Sequence, residues 1–238
     1  MPDKRQHRGM APGDAALFAA DQWPKLRAAA ADLAWLQSRG YAEDAALKLV
    51  GDRHKATARQ QLAVRRCACS DSARDDRRRR QLGAGQIAGQ RLLIDGFNLL
   101  VTLEAALSGG VLLCGRDGCI RDLASVHGSY RRVTETQPAL ELAGAGLAAL
   151  QPAACVWYLD RPVSNSGRLA ASLRALAENR AWPWQVEVVF NPDRELVAAG
   201  GIVISADAGI LDRCGPWFNF AAHLLPTLCP QPPLLDLG

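Results

Sequence analysis

A short apolar segment that ends in an aspartate constrains the fold of this chain more than any other feature. Residues 91–100 read RLLIDGFNLL, and the apolar run at 91–94 is too short for a helix. A run of this kind, closed by Asp95-Gly96, is typical of a buried strand in a parallel sheet. Open α/β sheets bind their ligands at the carboxyl ends of the strands. Asp95 is therefore the first candidate for a catalytic carboxylate, and Asn98 is predicted to cap a helix over 99–107.

The rest of the chain after residue 91 alternates between predicted strands and helices. Further strands are predicted at residues 153–159, 184–190 and 201–204, and helices at 139–150, 168–180 and 207–212. Such alternation indicates an α/β fold, with a largely parallel sheet and helices on both faces. We expect this domain to cover residues 91–225, followed by an irregular proline-rich tail over 226–238.

The first 90 residues have a different character. Residues 1–22 are predicted to form a disordered tail, and three short helices are expected at about 24–39, 42–50 and 57–67, within a helical module over 23–70. Residues 71–90, which are basic and then glycine-rich, are predicted to be a linker. The three helices fit either a helix-turn-helix-like grip on nucleic acid or a small bundle with solvated arginines.

Charge is distributed unevenly along the chain. Residues 1–90 contain 17 lysines and arginines against 10 acidic residues, whereas residues 91–238 contain 11 against 14. A basic part beside a mildly acidic α/β part suggests a grip for nucleic acid, although a coding bias towards arginine produces the same asymmetry. On the third helix, Arg59, Arg65 and Arg66 are the candidates for this contact.

Several function classes are disfavoured by composition. No apolar run reaches the roughly 20 residues of a membrane span, and the N-terminus lacks the apolar core of a signal peptide. The seven cysteines are an odd number and are scattered, which suits reduced thiols better than a disulfide framework. We therefore expect a cytoplasmic protein with no membrane partner, and the oligomeric state stays open.

Three aspartates follow three of the predicted strands: Asp95, Asp160 and Asp207. A parallel sheet brings these positions to one edge, where clustered carboxylates repel and acquire raised pKa values unless a cation compensates. Mg²⁺ or Mn²⁺ prefers oxygen ligands, activates water and neutralises charge on a phosphodiester. Asp212 is a possible fourth ligand, and the alternatives are Asp117 and Glu104.

Polar residues near the same edge are candidates for substrate contact. Ser164 and Ser166 precede a predicted helix, whose N-terminus could hold a phosphate with help from Arg161. Asn98 and Ser205 lie beside the candidate carboxylates in the sequence. Each of these residues also has a structural interpretation, because aspartate, asparagine and serine often cap helices or form turns.

Four short segments of the helical module keep a characteristic spacing: Asp32-Leu33-Ala34-Trp35-Leu36, Arg39-Gly40-Tyr41, the run ALKLVGDR at 46–53, and Arg59-Gln60 leading to Cys69-Ser70. Through these segments, residues 24–70 resemble the N-terminal module of a prokaryotic family known as domain of unknown function 434. Members commonly carry tyrosine where this chain has His54. The resemblance implies membership in a family but no particular activity.

Residues 91–225 resemble the PIN-like nucleases, including their NYN branch. Asp95 and Asn98 match a strand-ending aspartate with an asparagine three residues on, and Ser205-x-Asp207 matches a later motif, with Asp212 beyond it. The resemblance implies a ribonuclease that uses Mg²⁺ or Mn²⁺, acts on RNA rather than DNA, and binds the metal through Asp95, Asp160, Asp207 and Asp212.

The second acidic residue that is usual in the early helices of PIN-like nucleases has no unambiguous counterpart in this chain. A competing interpretation is therefore a non-catalytic nucleic-acid-binding or regulatory protein of the same fold. A third interpretation, a small-molecule phosphoesterase, predicts an enclosed pocket with no basic surface continuous with it.

Overall fold

The computed structural model describes residues 6–124, 128–228 and 233–238, and it confirms the predicted α/β class. The strands of these ranges are, in chain order, β1 (Gln81–Leu82), β2 (Arg91–Asp95), β3 (Leu112–Cys114), β4 (Ile120–Asp122), β5 (Ala154–Asp160), β6 (Trp184–Val189), β7 (Ile202–Ile204), β8 (Trp217–Phe218) and β9 (Leu234–Asp236). The main sheet has the order β1-β8-β7-β2-β5-β6 and is parallel throughout. A smaller sheet has the order β4-β3-β9.

Helices cover both faces of the main sheet and form a layer at the N-terminal end of the chain. The α-helices of the described ranges are α1 (Asp14–Leu17), α2 (Trp23–Gln37), α3 (Glu43–Arg53), α4 (Ala58–Cys67), α5 (Asp71–Arg80), α6 (Gly96–Leu107), α7 (Thr136–Ala149), α8 (Ser166–Arg180), α9 (Pro192–Ala198), α10 (Ala208–Leu211) and α11 (Phe220–Leu224). The predicted helices correspond to α2, α3, α4, α6, α7, α8 and α10.

Strand β2 lies in the interior of the main sheet, and both of its faces are buried. Leu92 and Ile94 pack into one core with α6, α7 and α8, whereas Leu93 faces a second core with α9 and α10. Burial on both sides explains why the strand reads as a continuous apolar run. The turn that follows packs tightly, because a Cβ at Gly96 would lie 2.9 Å from the carbonyl oxygen of Tyr158.

The helical module shares a core with the smaller sheet. Buried side chains of α2 and α4, including Leu33 and Val64, pack in one cluster with Leu113 of β3 and Leu235 of β9. The prediction of an irregular tail is therefore wrong for Leu234–Asp236, which form β9 and pair in parallel with β3. Residues 229–232 of that tail lie outside the described part of the chain.

The linker predicted at residues 71–90 is also wrong, because residues 71–80 form α5. Arg77 is 2% exposed, and its guanidinium group donates to Asp117 at 2.6 Å and to Asp212 at 2.7 Å. Arg121 donates two more bonds to Asp117, at 2.8 and 2.7 Å. Arg80 donates to the carbonyl oxygen of Leu211 at 2.8 Å. The run of four arginines thus contains two residues that fasten α5 to the α/β domain.

The N-terminal tail is held in place wherever the structure describes it, contrary to the prediction for residues 1–22. Arg8 is 6% exposed, and it donates to the buried Glu104 of α6 and to the carbonyl oxygen of Arg131. Asp14 accepts two hydrogen bonds from Arg59, at 2.9 and 2.8 Å. A buried charge is retained only when it is paired, so these contacts tie the segment to both halves of the protein.

Two smaller expectations concern membranes and cysteines. In the part of the chain that the structure describes, no helix is long and apolar enough to cross a membrane. The six described cysteines are free thiols, and Cys229 lies outside the described residues.

We predict that Arg77→Met lowers the free energy of unfolding by about 3–5 kcal/mol, because it leaves the buried Asp117 without one of its two cations. Arg65→Met is the matched control. Arg65 is exposed and pairs with exposed acids, so we expect a loss below about 1 kcal/mol. Urea unfolding of both variants measures the difference, and equal midpoints would contradict a central role for Arg77.

Candidate functional site

Asp95 ends strand β2 and is also the N-cap of α6. Its Oδ1 accepts the backbone N–H of Asn98 at 3.4 Å, and its Oδ2 accepts the hydroxyl of Ser205 at 2.8 Å. Asn98 does not cap the helix as predicted, since the helix already begins at Gly96. Its Oδ1 instead accepts the backbone N–H of Ala206 at 2.9 Å. Two side-chain hydrogen bonds therefore join the β2–α6 turn to the loop after β7.

Asp207 lies in that loop and is exposed. Its Oδ1 accepts the backbone N–H of Ile210 at 3.1 Å, which makes it the N-cap of α10. Its own backbone N–H donates to the hydroxyl oxygen of Ser205 at 3.0 Å. Ser205 thus accepts from the residue that carries one carboxylate and donates to the other, Asp95. The Ser205 hydroxyl therefore fixes the position of the backbone of Asp207 relative to the carboxylate of Asp95.

Asp160 and Asp193 complete a set of four carboxylates. Asp160 ends β5, and Asp193 lies in the first turn of α9. Burial raises the pKa of Asp160, and the charge of Asp193 raises it further. Burial likewise raises the pKa of Asp193, with a further contribution from Asp207. Asp193 therefore lies within electrostatic reach of each of the other three carboxylates.

The sequence analysis missed Asp193, although a signal for it was present. It follows the end of β6 by four residues, and an acidic residue shortly after a parallel strand was the criterion that selected the other three aspartates. The intervening Asn191-Pro192 begins α9, which packs back across β2 and β5 and so returns Asp193 towards the interior strands.

Asp95 is the most perturbed of the four carboxylates. Burial raises its pKa to about 7, the charges of Asp207 and Asp193 add to the effect, and the hydrogen bonds from Ser205 and Asn98 oppose it. Among the residues that the structure describes, no ion pair involves any of the four aspartates. Asp95 is therefore a half-buried acid with no compensating cation in the described part of the chain.

The donor set is chemically suited to a hard divalent cation. Carboxylates and a hydroxyl provide oxygen ligands, which Mg²⁺ and Mn²⁺ prefer, and a cation would offset the charge that raises the pKa of Asp95. Within the described ranges, no three histidine, cysteine, aspartate or glutamate side chains are grouped closely enough to hold a metal ion. Asp193 and Asp207 are exposed, and exposed side chains change rotamer readily. Binding would require such a rearrangement.

The other acidic candidates already have cationic partners. Asp212 pairs with Arg77 and is not grouped with the strand-end aspartates. Burial alone would raise the pKa of Asp117, but the charges of Arg121 and Arg77 hold it well below its usual range. Glu104 pairs with a buried arginine, as described above. In the structure, these three acids stabilise the fold.

The three arginines predicted to contact nucleic acid, Arg59, Arg65 and Arg66, instead form hydrogen bonds within the protein. Arg59 binds an aspartate of α1, and Arg65 donates to two acidic side chains of α3 at 2.5 and 2.6 Å. Arg66 donates to the carbonyl oxygens of Asp122 and Ala124. The helices are present as predicted, but these guanidinium groups have intramolecular partners.

The start of α8 differs from the capping arrangement that the sequence suggests. Asn165 occupies the N-cap position with a positive φ of 71°, and its side chain donates to the carbonyl oxygen of Tyr130 instead of capping the helix. Ser164 is exposed, whereas Ser166 is buried as the first residue of the helix. Arg161 is exposed next to Asp160.

An open groove of about 530 Å³ runs between the helical module and the strand ends. Arg65 and Arg66 of α4 line one side, Asn98 and Asp207 line the other, and Phe97 contributes apolar surface. The basic helix and the carboxylate edge therefore border one continuous surface. This arrangement differs from the enclosed pocket expected of a small-molecule phosphoesterase.

We predict that Asp95→Asn stabilises the protein more at pH 8 than at pH 5. The folded-state pKa of about 7 exceeds the usual 3.8, so the folded protein keeps a proton that the unfolded chain has released between these values. Wild-type stability from this group therefore falls as pH rises from about 4 to 7. An amide mimics the protonated acid, and we expect the gain at pH 8 to exceed the gain at pH 5 by on the order of 2–3 kcal/mol. Thermal unfolding at both pH values measures it, and an equal effect at pH 5 and 8 would contradict the assignment.

Comparison with known proteins gives the family but no activity. Residues 84–223 match the family described as domain of unknown function (DUF5616), and residues 25–80 match the family described as protein of unknown function (DUF434). An uncharacterized protein of Methanocaldococcus jannaschii is 32% identical over 165 residues, which are 69% of this chain and 79% of the relative. No solved structure matches the chain. The match to domain of unknown function 5616 spans more than half of the chain, and a region similar to domain of unknown function 434 precedes it. The chain therefore belongs to the family of domain of unknown function 5616.

Proposed function

We propose that this protein is a ribonuclease of the PIN-like type that depends on Mg²⁺ or Mn²⁺. The observation that carries the proposal is Asp95, a half-buried acid without a cation at the carboxyl end of an interior strand. The charges of Asp207 and Asp193 raise its pKa further, and the charge of Asp193 likewise raises the pKa of Asp160. Perturbed acids in a cleft are typical of catalytic sites, whereas acids that stabilise a fold are usually paired.

The metal would be held by Asp95 together with Asp207 and Asp193, and Asp160 lies at the same edge. When bound, it supplies charge neutralisation at the phosphodiester and lowers the pKa of a coordinated water. Ser205 orients Asp95 by donating to its Oδ2. Asn98 fixes the loop that carries Asp207, through its bond to the backbone of Ala206. Burial and the charge of Asp193 raise the pKa of Asp160, which suits this carboxylate to accept a proton.

RNA is the proposed substrate because the groove joins the carboxylate edge to the basic helical module. The two arginines of α4 on its wall, Arg65 and Arg66, place positive charge where a phosphate backbone would pass. Arg65 pairs with the exposed acids Glu43 and Asp44. Arg66 donates to carbonyl oxygens and lies 3.5 Å from the carboxylate of the buried Asp122. A phosphate that replaced them would form charge-assisted hydrogen bonds of the stronger kind.

A second candidate function is nucleic-acid binding without cleavage. It is favoured by one observation, which is that no three potential ligands are grouped in the described residues. In that case, Asp95 serves only as the N-cap of α6, where its side chain accepts the backbone N–H of Asn98.

We predict that the wild-type protein cleaves labelled RNA in the presence of Mn²⁺ and that Asp95→Asn lowers the cleavage rate by at least about 100-fold. Loss of a residue that only supports a metal ligand typically costs about 10–100-fold, and loss of the ligand itself should cost more. Asp193→Asn should lower it as well. Asp21→Asn is the matched control, because Asp21 is exposed in the 3-10 helix Ala20–Gln22 and should leave the rate unchanged. Single-stranded DNA of the same sequence tests the preference for RNA.

Two outcomes would contradict the nuclease. Cleavage that persists in Asp95→Asn would place the chemistry at another site. Binding of RNA with a steep salt dependence but no cleavage by any variant would favour the binding protein instead.

A further inference from the structure

Phe190 has a position that packing does not explain. It is 71% exposed, more than any other large hydrophobic side chain in the described part of the chain. It directly follows β6, so it lies at the carboxyl end of a parallel strand, next to the residue that pairs with Asp160. An apolar ring exposed at this edge gives up the free energy that burial would provide.

Arg161 supports the ring. Its guanidinium carbon lies 4.7 Å from the centroid of the Phe190 ring. The guanidinium group also donates to the carbonyl oxygen of Val188 at 3.3 Å, and the backbone N–H of Arg161 donates to the carbonyl oxygen of Val189 at 2.7 Å. The arginine is thus fixed to the end of β6 at two points.

We propose that Phe190 and Arg161 form a stacking platform for a nucleobase of a single-stranded nucleic acid. The substrate class rests on the proposed function. Proteins that bind single strands stack bases on exposed aromatic rings and place arginine beside them, because every base has a π-face and every nucleotide carries a phosphate. A base paired within a duplex does not offer its face to such a ring.

The platform is linked rigidly to the candidate carboxylates. Asn191 caps α9 by accepting the backbone N–H of Arg194 at 3.0 Å, and Pro192 occupies the first turn of the helix. These residues fix the short path from Phe190 to Asp193. On the other side, Arg161 directly follows Asp160. A base held on Phe190 would therefore set the register of the strand relative to the carboxylate edge.

The test measures binding in the full-length protein without added divalent metal, so that cleavage does not interfere. The probe is a fluorescent single-stranded RNA of about 12 nucleotides that contains 2-aminopurine, a base whose fluorescence is quenched by stacking. We expect Phe190→Ala to weaken binding by about 10-fold and to abolish the quenching contributed by the platform. Phe190→Trp should restore both, because it retains an aromatic face.

Trp35→Ala provides the matched control. Trp35 is 54% exposed, and the guanidinium carbon of Arg39 lies 3.5 Å from its ring centroid, but it lines a separate groove on the helical module with Leu36 and Leu49. We expect its loss to leave affinity and quenching unchanged. Duplex RNA of the same sequence should bind equally well to wild type and Phe190→Ala.

Unchanged affinity in Phe190→Ala, or an equal loss in Trp35→Ala, would overturn the platform. A change of oligomeric state in Phe190→Ala, measured by sedimentation, would also overturn it in favour of a protein contact. The platform and the nuclease fail separately. Stacking without cleavage by any variant retains the platform and rejects the nuclease, whereas cleavage that depends on Asp95 with unchanged binding in Phe190→Ala does the reverse.

Discussion

The buried cluster of Arg77, Asp117 and Arg121 holds the rest of the structure in its arrangement. Arg77 comes from α5, and the other two come from the β3–β4 hairpin. Arg77 also reaches Asp212, and Arg121 donates to the carbonyl oxygen of Ala206 at 2.7 Å. Both guanidinium groups thus bind the segment 206–212, which carries the candidate carboxylate Asp207. Because buried charges must be paired, the two regions with separate family matches are joined into one unit.

The same protein contains acids in two kinds of environment, the buried Asp117 and the half-buried Asp95. Asp117 lies between two arginines, which hold its pKa well below the usual range despite burial. Asp95 accepts only neutral donors in the described residues, and burial raises its pKa to about 7. The first kind stabilises the fold, and the second leaves an electrostatic cost that a cation or a substrate can relieve. This contrast between compensated and uncompensated acids is the reason for placing the candidate site at the strand ends.

Sequence patterns located most of the main elements but few of the contacts made by charged residues. The apolar runs predict β2, β5 and β7, because burial on both faces leaves a continuous signal, and they also predict the edge strand β6, which is buried only at Val186. The charged helix α5 was taken for a linker, since Arg77 and Arg80 carry no apolar periodicity although both face the protein. No local pattern predicts the structural roles of Arg8 and Arg59 either, because their acidic partners, Glu104 and Asp14 respectively, lie far away in the chain.

By itself, the sequence determined the α/β class, the strand that ends at Asp95 and the convergence of Asp160 and Asp207 on one edge, because these follow from local periodicity and from the geometry of parallel strands. Only the tertiary structure decided which acids are compensated. Pairing depends on distances between residues that are far apart in the chain, and so does the return of α9 that brings Asp193 to the other carboxylates. Electrostatic compensation is a property of the folded arrangement, and no local pattern encodes it.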